Sequence, residues 1–166
     1  MGDTSTYLGI TEFVDGLASE LMASPFKPHY KSEKSLRHDV AKVVRKFISS
    51  KLDPLGVSYN LWGDGVDTNK IEPVFAFGID FRPDMVIEVG EFPTVAIESE
   101  FIKKGENSAL KISSAVGLAL IYSRLYPSVI AFVLDRGERE EYKHWLDREF
   151  KMELWTKYKI KLIIQQ

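Results

Sequence analysis

Three carboxylates, Asp84, Glu98 and Glu100, fall on two short segments of alternating residues. In the first, Met85, Ile87 and Val89 alternate with Asp84, Val86 and Glu88. In the second, Val95, Ile97 and Phe101 alternate with Ala96, Glu98 and Glu100. Period-two alternation predicts strands with one packed face and one wetter face. Gly90 and Pro93 bracket the reversal between them. If both apolar sets face one core, the hairpin is limited to certain registers, because a slip of one residue turns one set to the wrong face. Pairing Gly90 with Thr94 sets Asp84 opposite Glu100, and pairing Val89 with Pro93 sets it opposite Glu98. Opposed side chains have Cβ atoms about 4.5–5.5 Å apart. In either register the three carboxylates converge, and they repel one another unless a proton or a cation intervenes. Hard oxygen ligands of this kind suit Mg²⁺, Mn²⁺ or Ca²⁺.

Other segments must hold this hairpin in place. Residues 1–10 read as a loose arm, and 11–23 as a helix capped by Thr11 with a Phe13, Leu17, Leu21 stripe. Residues 32–52 carry the strongest helical pattern, through Leu36, Val40, Val43, Val44, Phe47 and Ile48, with Ser32 or Ser35 as cap. Glu33 leans toward the core side at its start, where the helix dipole favours an acid. Lys34, Arg37, Lys42, Arg45 and Lys46 line the other faces, either as solvated surface or as a track for a phosphate backbone. Asp53 to Lys70 reads as a connecting or substrate-facing loop. Its Asp64, Asp67 and Asn69 lack the spacing of a calcium loop. Residues 71–81 read as one strand, and the run Val74 to Phe77 predicts cover on both faces. A helix capped by Asn107 or Ser108 runs to about Leu125. It is apolar nearly all round from Ile112 to Tyr122, which places it between layers or at a subunit contact, the latter giving a homodimer. Val129 to Leu134 predicts a buried strand, 138–150 an amphipathic helix, and Ile160, Leu162 and Ile164 a closing strand. His29 reads as an exposed loop histidine. The order of elements predicts an α/β domain with a mixed sheet.

The chain of 166 residues suits one domain, with 1–31 as an arm and helix leading into it. It has no cysteine, which excludes disulfides, thiolate zinc sites and cysteine nucleophiles. No apolar run approaches the ~20 residues needed to span a bilayer. No membrane partner is therefore expected, and the cytoplasm is the expected compartment. A net charge of −2 is not that of a broadly basic nucleic-acid binder. Any affinity for DNA then rests on a local basic patch and on bound cations.

Pro83-Asp84, thirteen residues, then Glu98-Ser99-Glu100 resembles the PD-(D/E)XK nuclease superfamily, the restriction-endonuclease-like fold. The family pattern is Pro-Asp, a variable gap, then Asp or Glu, any residue, and Lys. Glu100 stands where Lys is usual, as it does in a minority of restriction enzymes of that superfamily. The resemblance covers residues 32 to about 135. It implies an α-βββ-α-β core, a mixed central sheet flanked by helices. It implies a metal-dependent nuclease that hydrolyses phosphodiester bonds of DNA with Mg²⁺ or Mn²⁺. Asp84 and Glu98 would hold the cation, with a backbone carbonyl near Ser99 and an acid on the first helix, Glu33, completing its shell. Glu100 would orient the attacking water or bind a second cation. Lys111, early in the following helix, is the candidate replacement for the missing lysine. The alternative is a catalytically inactive member of the fold, acting as a nucleic-acid-binding or assembly module.

Overall fold

The computed structural model describes residues 4–63, 70–137 and 148–166, with side chains from residue 9 onward. The Asp64, Asp67 and Asn69 trio and the part of the expected helix over 138–147 lie outside the described residues. Helices α1 (Thr4–Ala23), α2 (Glu33–Leu52), α3 (Ser108–Tyr122) and α4 (Arg148–Tyr158) surround seven strands. These are β1 (Tyr59–Gly63), β2 (Val74–Ala76), β3 (Ile79–Phe81), β4 (Met85–Val89), β5 (Phe92–Ile102), β6 (Ser128–Asp135) and β7 (Ile160–Gln165). Five form a mixed sheet in the order β1-β4-β5-β6-β7, antiparallel across β1-β4-β5 and parallel across β5-β6-β7.

Alternation along the central strands makes two cores, one on each face. Met85, Ile87, Val95, Ile97, Ile130, Phe132 and Leu134 meet Val14, Leu17 and Leu21 of α1 and Leu36, Val40, Val44 and Phe47 of α2. Val86, Ala96, Val129, Ala131 and Val133 meet Ile112, Ala115, Val116, Ala119 and Tyr122 of α3. Alanines on both sides of that second interface let α3 lie close to the sheet. The apolar face of α3 is thus buried between layers, while Leu110 and Leu120 stay exposed. The side chain of Ser32 caps α2, and that of Asn107 caps α3.

Three expectations from sequence need correction. The first helix starts at Thr4 rather than Thr11, so most of the expected arm is helical, and Ile10 packs against the first core. The expected loop over Asp53–Lys70 contains β1, which pairs along the whole of β4. Its alternating Tyr59 and Leu61 are obscured by the Asp, Gly and Asn around them. The single strand expected over 71–81 is instead a small separate hairpin, β2–β3. Phe77 and Gly78 reverse the chain with φ of 53° and 76°. Val74 and Ala76 are buried, but Phe75 and Phe77 point to solvent.

The central hairpin takes the register that sets Met85 opposite Ile97 and Ile87 opposite Val95. A bulge then shifts the pairing, so that Glu88 faces Pro93 and Val89 faces Phe92. The bulge reconciles the apolar parity with a tight turn at Gly90, whose φ is 66°. At the other end the β4–β5 ladder stops at Met85–Ile97, while β5 continues beside β6 to Ile102. Pro83, buried and lacking an N–H, ends the ladder there. Glu98 to Ile102 therefore have a strand on one side only, and Asp84 sits where the two strands part.

Gly63 supports that point from the neighbouring strand. Its φ is 108°, and a Cβ there would lie 2.1 Å from the Asp84 carbonyl oxygen. Gly63→Ala is therefore expected to cost about 2 kcal/mol or more, through strain and displacement of the Asp84 backbone. Urea denaturation of the two proteins checks this.

Candidate functional site

The parting of β4 and β5 gathers side chains from four elements. Asp84 is 12% exposed and has its two carboxylate oxygens held differently. Oδ2 accepts from the Ser99 backbone N–H at 2.9 Å and from the Ser99 hydroxyl at 2.8 Å. Oδ1 lies 3.0 Å from Nη1 of Arg37 on α2. Burial pushes the Asp84 pKa up, and Arg37 and Ser99 oppose that shift without cancelling it.

Glu98 is the more perturbed acid. Burial first, then the charge of Asp84, push its pKa up to about 8 from an ordinary 4.5. The Asp84 backbone N–H donates to its carboxyl group, yet Oε2 is buried without a hydrogen-bond partner. The Tyr122 hydroxyl of α3 stands between Glu98 and the Arg82 carbonyl, to which it donates at 2.9 Å. The pKa of that hydroxyl is raised, first by burial and then by the charges of Glu98 and Asp84. A buried carboxyl oxygen with no donor is where a cation would replace a proton.

Glu100 turns to a second group. Its Oε1 lies 2.5 Å from Lys111 Nζ, and Glu33 Oε1 lies 3.3 Å from the same nitrogen. The Lys111 pKa is raised, chiefly by its hydrogen bond to Glu100. The Glu100 pKa is raised too, because burial outweighs what the lysine contributes.

Asp84, Glu98, Ser99, Glu100, Glu33 and Lys111 are thus all at one end of the sheet. They do not form one ring of acids. Among the described residues, no three acidic or imidazole side chains close on a point at metal-ligand spacing. Arg37 and Lys111 stand among the carboxylates instead. Ser99 also has a second role, since its side chain is buried and fixes Asp84. His29 is exposed in the α1–α2 connection.

Two residues escape the sequence reading. Arg37 follows Glu33 by four residues, so both share a face of α2 and reach the same place. Tyr122 follows Lys111 by three turns of α3 and lies on the same side. Both signals are present in the sequence, hidden under a basic run in one case and an apolar run in the other. No protein-family model matches the chain, and no curated protein matches it in sequence.

The raised Glu98 pKa sets a pH dependence. Between about pH 4.5 and 8 the unfolded chain has lost this proton while the folded protein keeps it. The stabilisation is complete below the unfolded value and is lost as pH rises through the folded value. Asp84 and Glu100 shift in the same direction. Without divalent cations, the protein is expected to be more stable to urea at pH 5.5 than at pH 8. Glu98→Gln should flatten that slope by making the pH 8 form more stable.

Proposed function

We propose that this protein is a metal-dependent nuclease of the PD-(D/E)XK type, hydrolysing phosphodiester bonds of DNA with Mg²⁺ or Mn²⁺. The observation that carries this is the half-buried pair Asp84 and Glu98 at the parting of two strands, with a buried, unpartnered carboxyl oxygen on Glu98. With the separate β2–β3 hairpin set aside as an insertion between β1 and β4, the element order α2-β1-β4-β5-α3-β6 and the strand order β1-β4-β5-β6 support the restriction-endonuclease-like topology. Asp84 and Glu98 have the hard oxygen donors that Mg²⁺ or Mn²⁺ prefers, and the Ser99 main chain lies beside them. A divalent cation held there supplies an activated water and offsets charge on the phosphate.

The chain's own groups do the rest. Ser99 fixes the orientation of Asp84 through two donors on one oxygen. Lys111 brings a positive charge from α3 to the place where the family pattern has its lysine on β5, and Glu100 holds it there. In this role Lys111 stabilises negative charge developing on the phosphate, and Glu100 is a positioning residue. Glu33, on the far side of Lys111, restrains the same ammonium group. Arg37 has a buried Nε without a partner, so one guanidinium edge is unused while the other holds Asp84.

A second reading draws on the Arg37–Asp84 ion pair. If that pair is permanent, the site is closed to cations and the protein is a non-catalytic nucleic-acid-binding or assembly module of the same fold.

Cleavage of supercoiled and linear DNA with Mg²⁺ or Mn²⁺ separates the two. Asp84→Asn and Glu98→Gln are expected to abolish it, and Lys111→Met to slow it by about 10²-fold or more. Calorimetry should show Mn²⁺ heat with the wild type that is lost in the double variant. Absence of both heat and cleavage in the wild type would favour the module.

A further inference from the structure

The β2–β3 hairpin is an apolar finger beside the carboxylate pair. Ala76 pairs with Ile79, which leaves Phe77 and Gly78 as a two-residue connection. Both have positive φ, 53° and 76°. Turns of this shape favour Asn-Gly or Gly-Gly, and a bulky aromatic at the first position is strained. Nothing in the fold repays that strain, because Phe77 is 89% exposed. Phe75 and Ile79 beside it are 66% and 57% exposed. Strain held at an exposed aromatic points to a function outside the folded chain.

The finger is not loose. The Tyr126 hydroxyl donates to the Glu72 carbonyl at 2.8 Å before β2, and Tyr122 does so to Arg82 after β3. Val74 at its base and Ala76 next to the turn are both buried, so one face of the hairpin lies against the body of the protein and Phe75 and Phe77 are on the outward side. Both ends are therefore tied, one to the last residue of α3 and the other to the turn that follows it, and the outward ring of Phe77 is held on a fixed hairpin. Arg82 and Pro83 join β3 directly to Asp84. Asp84 is the seventh residue after Phe77, so the tip lies within about 25 Å of that residue. A nucleic-acid strand at Asp84 brings roughly its next seven nucleotides within that range, at about 3.4 Å each along a strand.

We propose that the β2–β3 hairpin is a base-stacking finger, with Phe77 and Phe75 taking the unpaired bases of single-stranded or locally opened DNA. This rests on the nuclease reading for its choice of partner. The chemistry of the finger agrees with bases rather than phosphates. Asp80 lies directly across from Phe75 and repels a backbone, while an aromatic ring stacks on any base. Exposed Arg82, directly after β3, would supply a phosphate contact at the base of the finger.

The test uses the full chain in EDTA, so that binding is read without cleavage. The probes are a labelled single-stranded oligodeoxynucleotide carrying 2-aminopurine and the matching duplex. Phe77→Asn places a favoured residue at the strained turn position and is expected to keep or raise Tm. It should weaken single-strand binding by about fivefold or more, abolish 2-aminopurine quenching, and leave duplex binding nearly unchanged. Phe75→Ser should act in the same direction. Equal quenching and affinity in wild type and both variants would overturn the proposal. So would a dimer in sedimentation that Phe77→Asn dissociates with DNA affinity unchanged, since the finger would then be a contact between copies of the chain. The two readings fail separately. If the wild type does not cleave but shows Phe77-dependent quenching, the catalytic reading falls and the finger stands. If it cleaves and Phe77→Asn binds and cuts single strands like the wild type, the finger alone falls.

Discussion

Two carboxylates largely withdrawn from solvent at the place where β4 and β5 part, Asp84 and Glu98, are the constraint around which this end of the fold is built. Burying one ionised acid is costly, and burying a second beside it adds repulsion. The surrounding residues answer that cost in different ways. Ser99 gives Asp84 two hydrogen bonds, Arg37 gives it a counter-charge, and Glu98 retains its proton near neutral pH. Gly63 lets β1 approach the Asp84 backbone more closely than any side chain would allow. An apolar pair at 84 and 98 would avoid all of these provisions, so their presence is better explained by chemistry than by stability.

The sheet itself prepares the location. On the strands beside it, small and branched residues alternate so cleanly that each face of β5 and β6 has its own core. That arrangement brings α2 along one face and α3 along the other. Glu33 in the first turn of α2 and Lys111 near the start of α3 then meet across the end of β5. Two helix starts beside the same cluster contribute partial positive charge there, which moderates the repulsion among the acids and suits an anionic ligand.

Much of this was legible in the residues, and the limits have physical causes. The hairpin parity gave two registers, and the structure takes the one with Asp84 beside Glu98, with a bulge that no alternation rule foresees. The helix expected over 32–52 follows from strong periodicity and the buried strand expected over Val129 to Leu134 from a continuous apolar run, and the structure has them at Glu33–Leu52 and Ser128–Asp135. β1 was hidden because its five residues sit among turn formers, and its stability comes from pairing with β4. The β2–β3 hairpin was misread because the run of apolar residues suggested burial, whereas Phe75 and Phe77 face water. Local pattern reports which residues prefer an interior, not which of them the topology leaves outside. Arg37 reads in sequence as part of a basic helix face, solvated or tracking a phosphate backbone, because its charge is plain there while its counter-ion Asp84 is far away along the chain.

The charges of the cluster bear on the proposed function. Glu33, Asp84, Glu98 and Glu100 are four acids, and Arg37 and Lys111 are two bases in contact with them. With every group ionised the balance is four negative against two positive charges, a net of −2. With Glu98 protonated it is −1. Under the proposed function, the charge of one divalent cation matches the fully ionised cluster, and its arrival would release the Glu98 proton. Arg37 would then lose part of its hold on Asp84, because the cation competes for the same oxygens. The Nη1 group freed in that way from Asp84 is a charged donor of the kind that phosphate oxygens accept. Under the proposed function, the ion pair that holds Asp84 without metal would thus keep a cationic group close to where the phosphate would lie.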